Sequence, residues 1–339
     1  MMQRRNLAPS CTVAIVGDGM VDHYIWGKAT RLSPEAPVPV VAVEGEEFRP
    51  GGAANVAANV SAMGGVAKLL TFAGDDALGR EFLKLVEARG ASVIGPFLRK
   101  NPTTKKTRIV VQNQQVVRVD WEKVYPLAPE EEELIIAALE ATEADVFVLS
   151  DYAKGVVTSN VARCCIEIGK KRGVPVVVDP KPQHRNFYRG ATVMTPNRSE
   201  AEALVGSELA AIGDQAAAAM KLREMFELEA LIMTLGEDGM ILATSSGWHH
   251  FLARSREVFD VSGAGDTVVA AVALSLGSGW GWEASCELAT VAAGLVVQKR
   301  GTSVVSWDEI TGSSDWPFVE LHLDRMKPKE TRALRTSGK

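Results

Sequence analysis

The stretch Val146-Phe147-Val148-Leu149, then Ser159 to Arg172, then Gly173-Val174-Pro175-Val176-Val177-Val178, reads as strand, helix and strand. Both strands are unbroken apolar runs, without the alternation of a sheet that keeps one face in water. Such strands are covered on both faces, and a helix between them makes the pair parallel. Gly173 closes the helix. Outward from this unit the alternation continues. Downstream come a strand at Ala191–Met194 and helices at Arg198–Val205 and Asp214–Phe226. A strand at Ala230–Thr234 precedes a hairpin of Met240–Thr244 and Trp248–Leu252. Two apolar helices, Ala264–Leu276 and Trp282–Gln298, end the series. Upstream lie strands at Thr12–Val16 and Val66–Phe72 and helices at Ala53–Met63, Leu78–Arg89 and Glu130–Ala141. The class is α/β: a mainly parallel central sheet with helices on both faces, three layers in all.

Two segments stand apart. Val38 to Val43 is β-rich and flanked by Pro37 and Pro39, as on an edge strand. Thr103 to Trp121 alternates around Asn113-Gln114-Gln115 and reads as a hairpin with one wet face. Together, over about 37–48 and 103–121, they predict a small sheet outside the main body. From 324 to 339 the chain is basic and aperiodic, as in a flexible tail.

Composition narrows the classes of partner. Of 339 residues, 46% are hydrophobic and 23% charged, ordinary for a globular chain. Asp and Glu number 42 against 37 Lys and Arg, a net charge of −5, which disfavours a nucleic-acid partner. Cys11, Cys164, Cys165 and Cys286 form no C-x-x-C pair and read as free thiols of a reducing, cytoplasmic setting. No signal-type segment follows the N-terminus and no run of eighteen apolar residues exists, so no membrane span is expected.

The chain has neither G-x-x-x-x-G-K-[ST] nor G-x-S-x-G. Gly17-Asp18-Gly19-Met20-Val21-Asp22 begins like a dinucleotide fingerprint but puts Asp22 at the third glycine, where a carboxylate repels a pyrophosphate. Asp22, in a loop past the first strand, can accept hydrogen bonds from sugar hydroxyls or cap a turn. Gly51-Gly52-Ala53-Ala54-Asn55 opens a helix, either letting a ligand approach the backbone or serving as an ordinary glycine start. Asp260-Val261-Ser262-Gly263-Ala264-Gly265-Asp266-Thr267 runs a glycine-rich loop into a helix. Its first-turn N–H groups can stabilise a transferring phosphoryl group, and Asp266 can take a proton from an attacking hydroxyl. A plain helix cap is the alternative.

The pair Gly51-Gly52-x-x-Asn55 and Asp260-x-x-Gly263-Ala264-Gly265-Asp266 resembles the two signatures of the ribokinase (PfkB) carbohydrate kinase family, over residues 12 to 310. The resemblance implies the ribokinase-like fold with its β-sheet lid. It implies a cytoplasmic, ATP- and Mg²⁺-dependent sugar kinase with Asp266 as base and Gly263, Ala264 and Gly265 as anion hole. Asp22, Gly51, Gly52 and Asn55 would hold the sugar. Asn197, Arg198, Ser199 and Glu200 match the family's N-x-x-E motif, with Glu200 toward Mg²⁺. Thr234, Gly236, Glu237 and Gly239 match a turn along ATP. Asp260 and Gly301 resemble a monovalent-cation (K⁺) site. Arg31 to Val40, Ser150 to Gly155 and Gly301-Thr302-Ser303 resemble the branch that phosphorylates D-glycero-β-D-manno-heptose 7-phosphate at O1 for lipopolysaccharide core. For the substrate's own phosphate, Arg108, Lys154 and Lys181 rank first among the cations. A homodimer through the lid strands is a further expectation. Rival readings are a kinase of another sugar or a nucleoside, and a non-catalytic sugar sensor on this fold.

Overall fold

The computed structural model describes residues 10–95, 97–112, 114–254 and 258–316. The expected tail at 324–339 lies outside them, as does Asn113 of the expected hairpin turn.

The apolar runs become strands of a nine-stranded sheet, in the order β15-β14-β13-β12-β11-β10-β1-β4-β6. Its parallel members are β1 (Thr12–Gly17), β4 (Val66–Leu70), β6 (Ser92–Val93), β10 (Val146–Ser150), β11 (Val176–Asp179), β12 (Val193–Met194) and β13 (Ala230–Thr234). Antiparallel β14 (Met240–Thr244) and β15 (Gly247–Phe251) close one edge. Side chains on β1 alternate between two cores. Val13 and Ile15 pack with helices α1 (Ala53–Ala62), α7 (Ala264–Gly277) and α8 (Trp282–Val296). Ala14 and Val16 pack with α3 (Pro129–Ala141), α4 (Ser159–Arg172) and α6 (Ile212–Met225). This period of two, applied to apolar strands, produces the three layers. α7 is buried from Asp266 to Ser275, so it is apolar all round rather than on one stripe.

The second sheet has four strands, one more than the expected single strand and hairpin supply. Its order is β3 (Pro39–Gly52), β2 (Gly19–Leu32), β8 (Lys105–Val111), β9 (Gln114–Trp121). β2 was not foreseen. The loop expected after β1 is only Asp18, and Asp22 sits inside a fourteen-residue strand that starts in the core and ends in solvent. The expected strand Val66–Phe72 is also split. Its last residue joins β5 (Phe72–Gly74), which pairs with β7 (Phe97–Arg99). α2 (Ala77–Ala88) follows β5; α5 (Arg198–Val205) precedes α6, and α9 (Trp307–Gly312) ends the described chain. Among the described residues no helix is long and apolar enough to cross a membrane.

Residues 122–127 strap the lid to the body. Tyr125 N–H donates to the Lys154 carbonyl and Leu127 N–H to that of Gly155, both at 3.2 Å. Gly155 has φ 113°, and a Cβ there would lie 2.1 Å from the Tyr125 carbonyl oxygen, so the backbones touch where only glycine fits. The carboxyl ends of β1, β10, β11 and β13 all open toward this lid, where ligands of α/β sheets bind.

Candidate active site

Gly263 adopts the left-handed conformation (φ 81°) that turns the chain into α7. Thr267 Oγ1 donates to the Gly263 carbonyl and to Asn59 Oδ1, both at 3.1 Å, tying the turn to α1. Asp266 is therefore presented from the first turn of α7, 5% exposed. Each of its oxygens has a donor: Asn55 Nδ2 at 2.7 Å on one and the Tyr152 hydroxyl at 2.5 Å on the other. Burial pushes the carboxyl up from 3.8 to about 6; the bonds from Asn55 and Tyr152 hold it down, the Asp22 charge adds to it and the Lys181 charge opposes it. At neutral pH this group is ionised yet close enough to its midpoint to take up a proton. The Ala264 N–H is spent on the Val261 carbonyl at 3.2 Å. This takes Ala264 out of the expected anion hole, and leaves the helix-start N–H groups of Gly263, Gly265 and Asp266 without an intrahelical acceptor.

Tyr152 was not among the sequence-derived candidates. Because its bond favours the charged carboxylate, Tyr152→Phe is expected to raise the Asp266 midpoint. The acid limb of the kcat/KM profile then moves upward from about 6, and a rise of about one unit lowers the rate at pH 7 by about twofold. An unmoved acid limb would show that Tyr152 does not tune Asp266.

Tyr152 stands in a loop that Asp18 organises. Asp18 is 1% exposed and accepts the N–H groups of Tyr152 (2.9 Å), Lys154 (3.0 Å) and Val156 (2.9 Å). The loop needs this support because Ala153 has φ 54°, an unfavourable conformation for a residue with a Cβ. Burial raises the Asp18 carboxyl above its usual range against the pull of these bonds.

On the lid side, Asp22 accepts Arg108 Nη1 at 2.5 Å and Thr302 Oγ1 at 2.8 Å. Arg108 lies over the Tyr24 ring, 5.3 Å from its centroid. Gly51 and Gly52 end β3 beside this pair: a Cβ on Gly51 would sit 2.7 Å from Asp22 Oδ2. The three first-ranked cations do not cluster. Arg108 is on the lid, Lys154 pairs with Glu122 at 2.7 Å, and Lys181 bonds Glu200 and lies over the Tyr152 ring, 5.4 Å from its centroid. Each of the three thus has a different carboxylate partner.

Asn197 caps α5, accepting the Glu200 N–H at 2.9 Å, while Glu200 Oε2 accepts the Asn197 N–H at 3.0 Å. Ser199 lies in the first turn. Arg198 pairs with Asp238 at 2.5 Å, and Asn197 bridges to Thr234. The two segments expected at ATP, 197–200 and 234–239, are therefore adjacent. Gly236 and Glu237 form a single turn that Gly239 closes onto Leu235 at 2.8 Å. Asp179 ends β11 nearby; burial first, then the Glu200 charge, push its carboxyl well above the carboxylate range. The Lys181 charge opposes that rise, and its ammonium already bonds Glu200, so a divalent cation at this pair would share Glu200 with the lysine. Among the described residues no three or more ligating side chains cluster, so such an ion would draw most ligands from phosphates and water, as Mg²⁺ does.

The expected monovalent-cation site is furnished otherwise. Asp260 accepts the N–H groups of Ser262 (2.8 Å) and Gly301 (3.1 Å). The flanking carbonyls of Arg300 and Thr302 accept Arg49 Nη1 at 2.7 and 2.9 Å, and Ser303 Oγ accepts it at 3.1 Å. A guanidinium from the lid already holds these oxygens, so K⁺ does not fit them in this arrangement.

The sequence profile described as pfkB family carbohydrate kinase matches residues 12–309. Bifunctional protein HldE of Geobacter sulfurreducens is 43% identical over 322 residues, 92% of this chain and 66% of its own length. The same-named protein of Halorhodospira halophila is 44% identical over 300 residues, 88% of this chain and 62% of its own length. The chain thus spans somewhat under two thirds of the length of these relatives. Phosphofructokinase-2 from Escherichia coli, solved with substrates and products, superposes with a TM-score of 0.76 at 19% identity, covering 92% of this chain and 99% of that one. Arabidopsis thaliana ribokinase, solved with ribose and ATP, superposes at 0.68 and 20% identity, again over 92% and 99%.

Proposed function

Since the chain belongs to the pfkB family of carbohydrate kinases, we propose that it transfers the γ-phosphoryl group of ATP to the anomeric O1 of D-glycero-β-D-manno-heptose 7-phosphate, giving the 1,7-bisphosphate. The observation that carries the kinase reading is Asp266, a buried carboxylate with a raised midpoint in the glycine-rich first turn of α7. The heptose assignment rests on the stretches Arg31 to Val40, Ser150 to Gly155 and Gly301 to Ser303, and on Arg108 and Lys106 of the lid strand β8 beside Asp22. Ribose or a nucleoside brings no phosphate to these cations, which in its absence pair with Asp22 and Glu122.

In this reading Asp22, Asn55 and the Gly51-Gly52 backbone hold the sugar hydroxyls. Asp266 takes the O1 proton as O1 approaches the γ-phosphorus in line. The N–H groups of Gly265 and Asp266 face the charge that develops on the phosphoryl oxygens. Glu200 and Asp179 would hold Mg²⁺, which when bound neutralises charge on the β- and γ-phosphates. The lid excludes water, suppressing ATP hydrolysis. β9 is exposed along its whole length, with Val116, Val117, Val119 and Trp121 open to solvent, which supports the homodimer through lid strands.

The test is ADP release from Mg·ATP with heptose 7-phosphate, sedoheptulose 7-phosphate, fructose 6-phosphate, ribose and adenosine. Turnover confined to the first is expected. Preferred turnover of another sugar keeps the Asp266 chemistry and overturns the substrate; none at all overturns the kinase reading.

A further inference from the structure

Glu122 lies at the start of the strap, between a lysine of the lid and a lysine of the body. Its Oε1 is 2.7 Å from Lys154 Nζ, and its Oε2 is 3.7 Å from Lys106 Nζ. The lysine side chains are each 17% exposed and that of Glu122 25%. Oε2 itself is shut off from solvent and makes no hydrogen bond. One carboxylate thus reaches one lysine well and the other poorly, and two positive charges face one negative. Lys106 is the register partner of Asp22 across β2 and β8, and Arg108 lies two residues along the same face. Lys154 is two residues past Tyr152, whose hydroxyl touches Asp266. The cluster therefore adjoins the cleft but takes no part in the steps assigned above.

We propose that Lys106 and Lys154 are the seat of the substrate's terminal phosphate and that Glu122 is its internal stand-in, displaced when the phosphate enters. The inference rests on a phosphorylated sugar being the substrate. A phosphate dianion offers three acceptor oxygens and can meet both ammonium groups at hydrogen-bond distance, which Glu122 does not. Lys106 belongs to the lid and Lys154 to the body, so a phosphate between them ties one to the other and draws the lid over the sugar. A neutral sugar cannot displace Glu122 and gains nothing from either lysine. Glu122 is in this sense a specificity residue: it sets the threshold of negative charge that a ligand must carry.

The experiment is calorimetric titration of inorganic phosphate into the full chain, with Mg²⁺ and a non-hydrolysable ATP analogue present so that the anion hole at α7 is filled. Glu122→Gln is expected to tighten phosphate binding by about tenfold, because the competing charge is gone. Lys106→Met and Lys154→Met are each expected to weaken it by about tenfold. Unchanged or weaker binding in Glu122→Gln, or no effect of either lysine, overturns the seat. The sugar panel separates this from the substrate reading. The phosphate pattern intact without turnover of heptose 7-phosphate overturns the sugar and keeps the seat. Turnover with phosphate affinity unmoved in Glu122→Gln overturns the seat alone.

Discussion

Asp266→Asn is expected to lower kcat by about 10³–10⁴-fold while leaving the affinities for ATP and sugar near those of the wild type. The amide keeps the size of the carboxylate and can still accept from Asn55, so the cleft retains its shape. What it lacks is the ability to take a proton. Steady-state rates with independently measured binding constants decide the matter, and a kcat within about tenfold of wild type would remove Asp266 from the role of base. The same substitution carries an opposite effect on stability. The carboxyl binds its proton more tightly in the fold, at about 6 against 3.8. Its stabilising contribution is complete below 3.8 and is lost as the pH rises through 6. At pH 7 the wild type therefore bears a cost of about 2–3 kcal/mol that asparagine does not. Asp266→Asn should melt higher than wild type at pH 7, and the gap should shrink toward pH 4. A variant that is both inactive and less stable at pH 7 would show that the bond from Tyr152 outweighs the burial of charge.

Asp18→Ala is expected to cost about 3–5 kcal/mol of folding stability and most of the activity. Three backbone N–H groups lose their acceptor, a carboxylate that is itself 1% exposed. The loop they hold also contains Ala153 at positive φ, which relaxes once the anchor is gone. Tyr152 and Lys154 ride on that loop, so the base loses its donor and the phosphate seat loses its body half together. Urea unfolding checks the first effect and kcat/KM of the folded fraction the second. A stability loss below about 1 kcal/mol would mean that the loop holds its shape through its other contacts.

The helices and apolar strands were readable because local chemistry specifies them. Ser159–Arg172 was bounded to the residue: the Thr158 hydroxyl accepts the Val161 N–H at one end and Gly173 is left-handed at the other. Arg198–Val205 was equally legible through its Asn197 and Glu200 capping box and left-handed Gly206. β2 was not legible. Met20, Val21 and Tyr24 are core residues at one end, while Lys28 to Leu32 are largely in solvent at the other, so no single period runs through the strand. Of the site, the residues carried by motifs at helix starts could be singled out. Asp18, Tyr152, Arg49 and Glu122 could not, because each acts through a partner far away in sequence. Asp18 between two glycines looks like any loop aspartate until the N–H groups of 152, 154 and 156 are brought to it. The separation of Lys181 from Arg108 had the same cause: each is one basic residue in or just after a strand, and only the fold puts Arg108 on the lid and Lys181 against Glu200 of the body.

The order of the central sheet bears on how the chain is made. β1 is synthesised well before Val146–Ser150, which is one of its two neighbours. Until those residues emerge, a nascent chain carries β1 paired on one side only, with Val13 and Ile15 lacking α7 as well. Throughout the synthesis of the intervening residues β1 thus presents an open strand edge, a template for mispairing until β10 arrives.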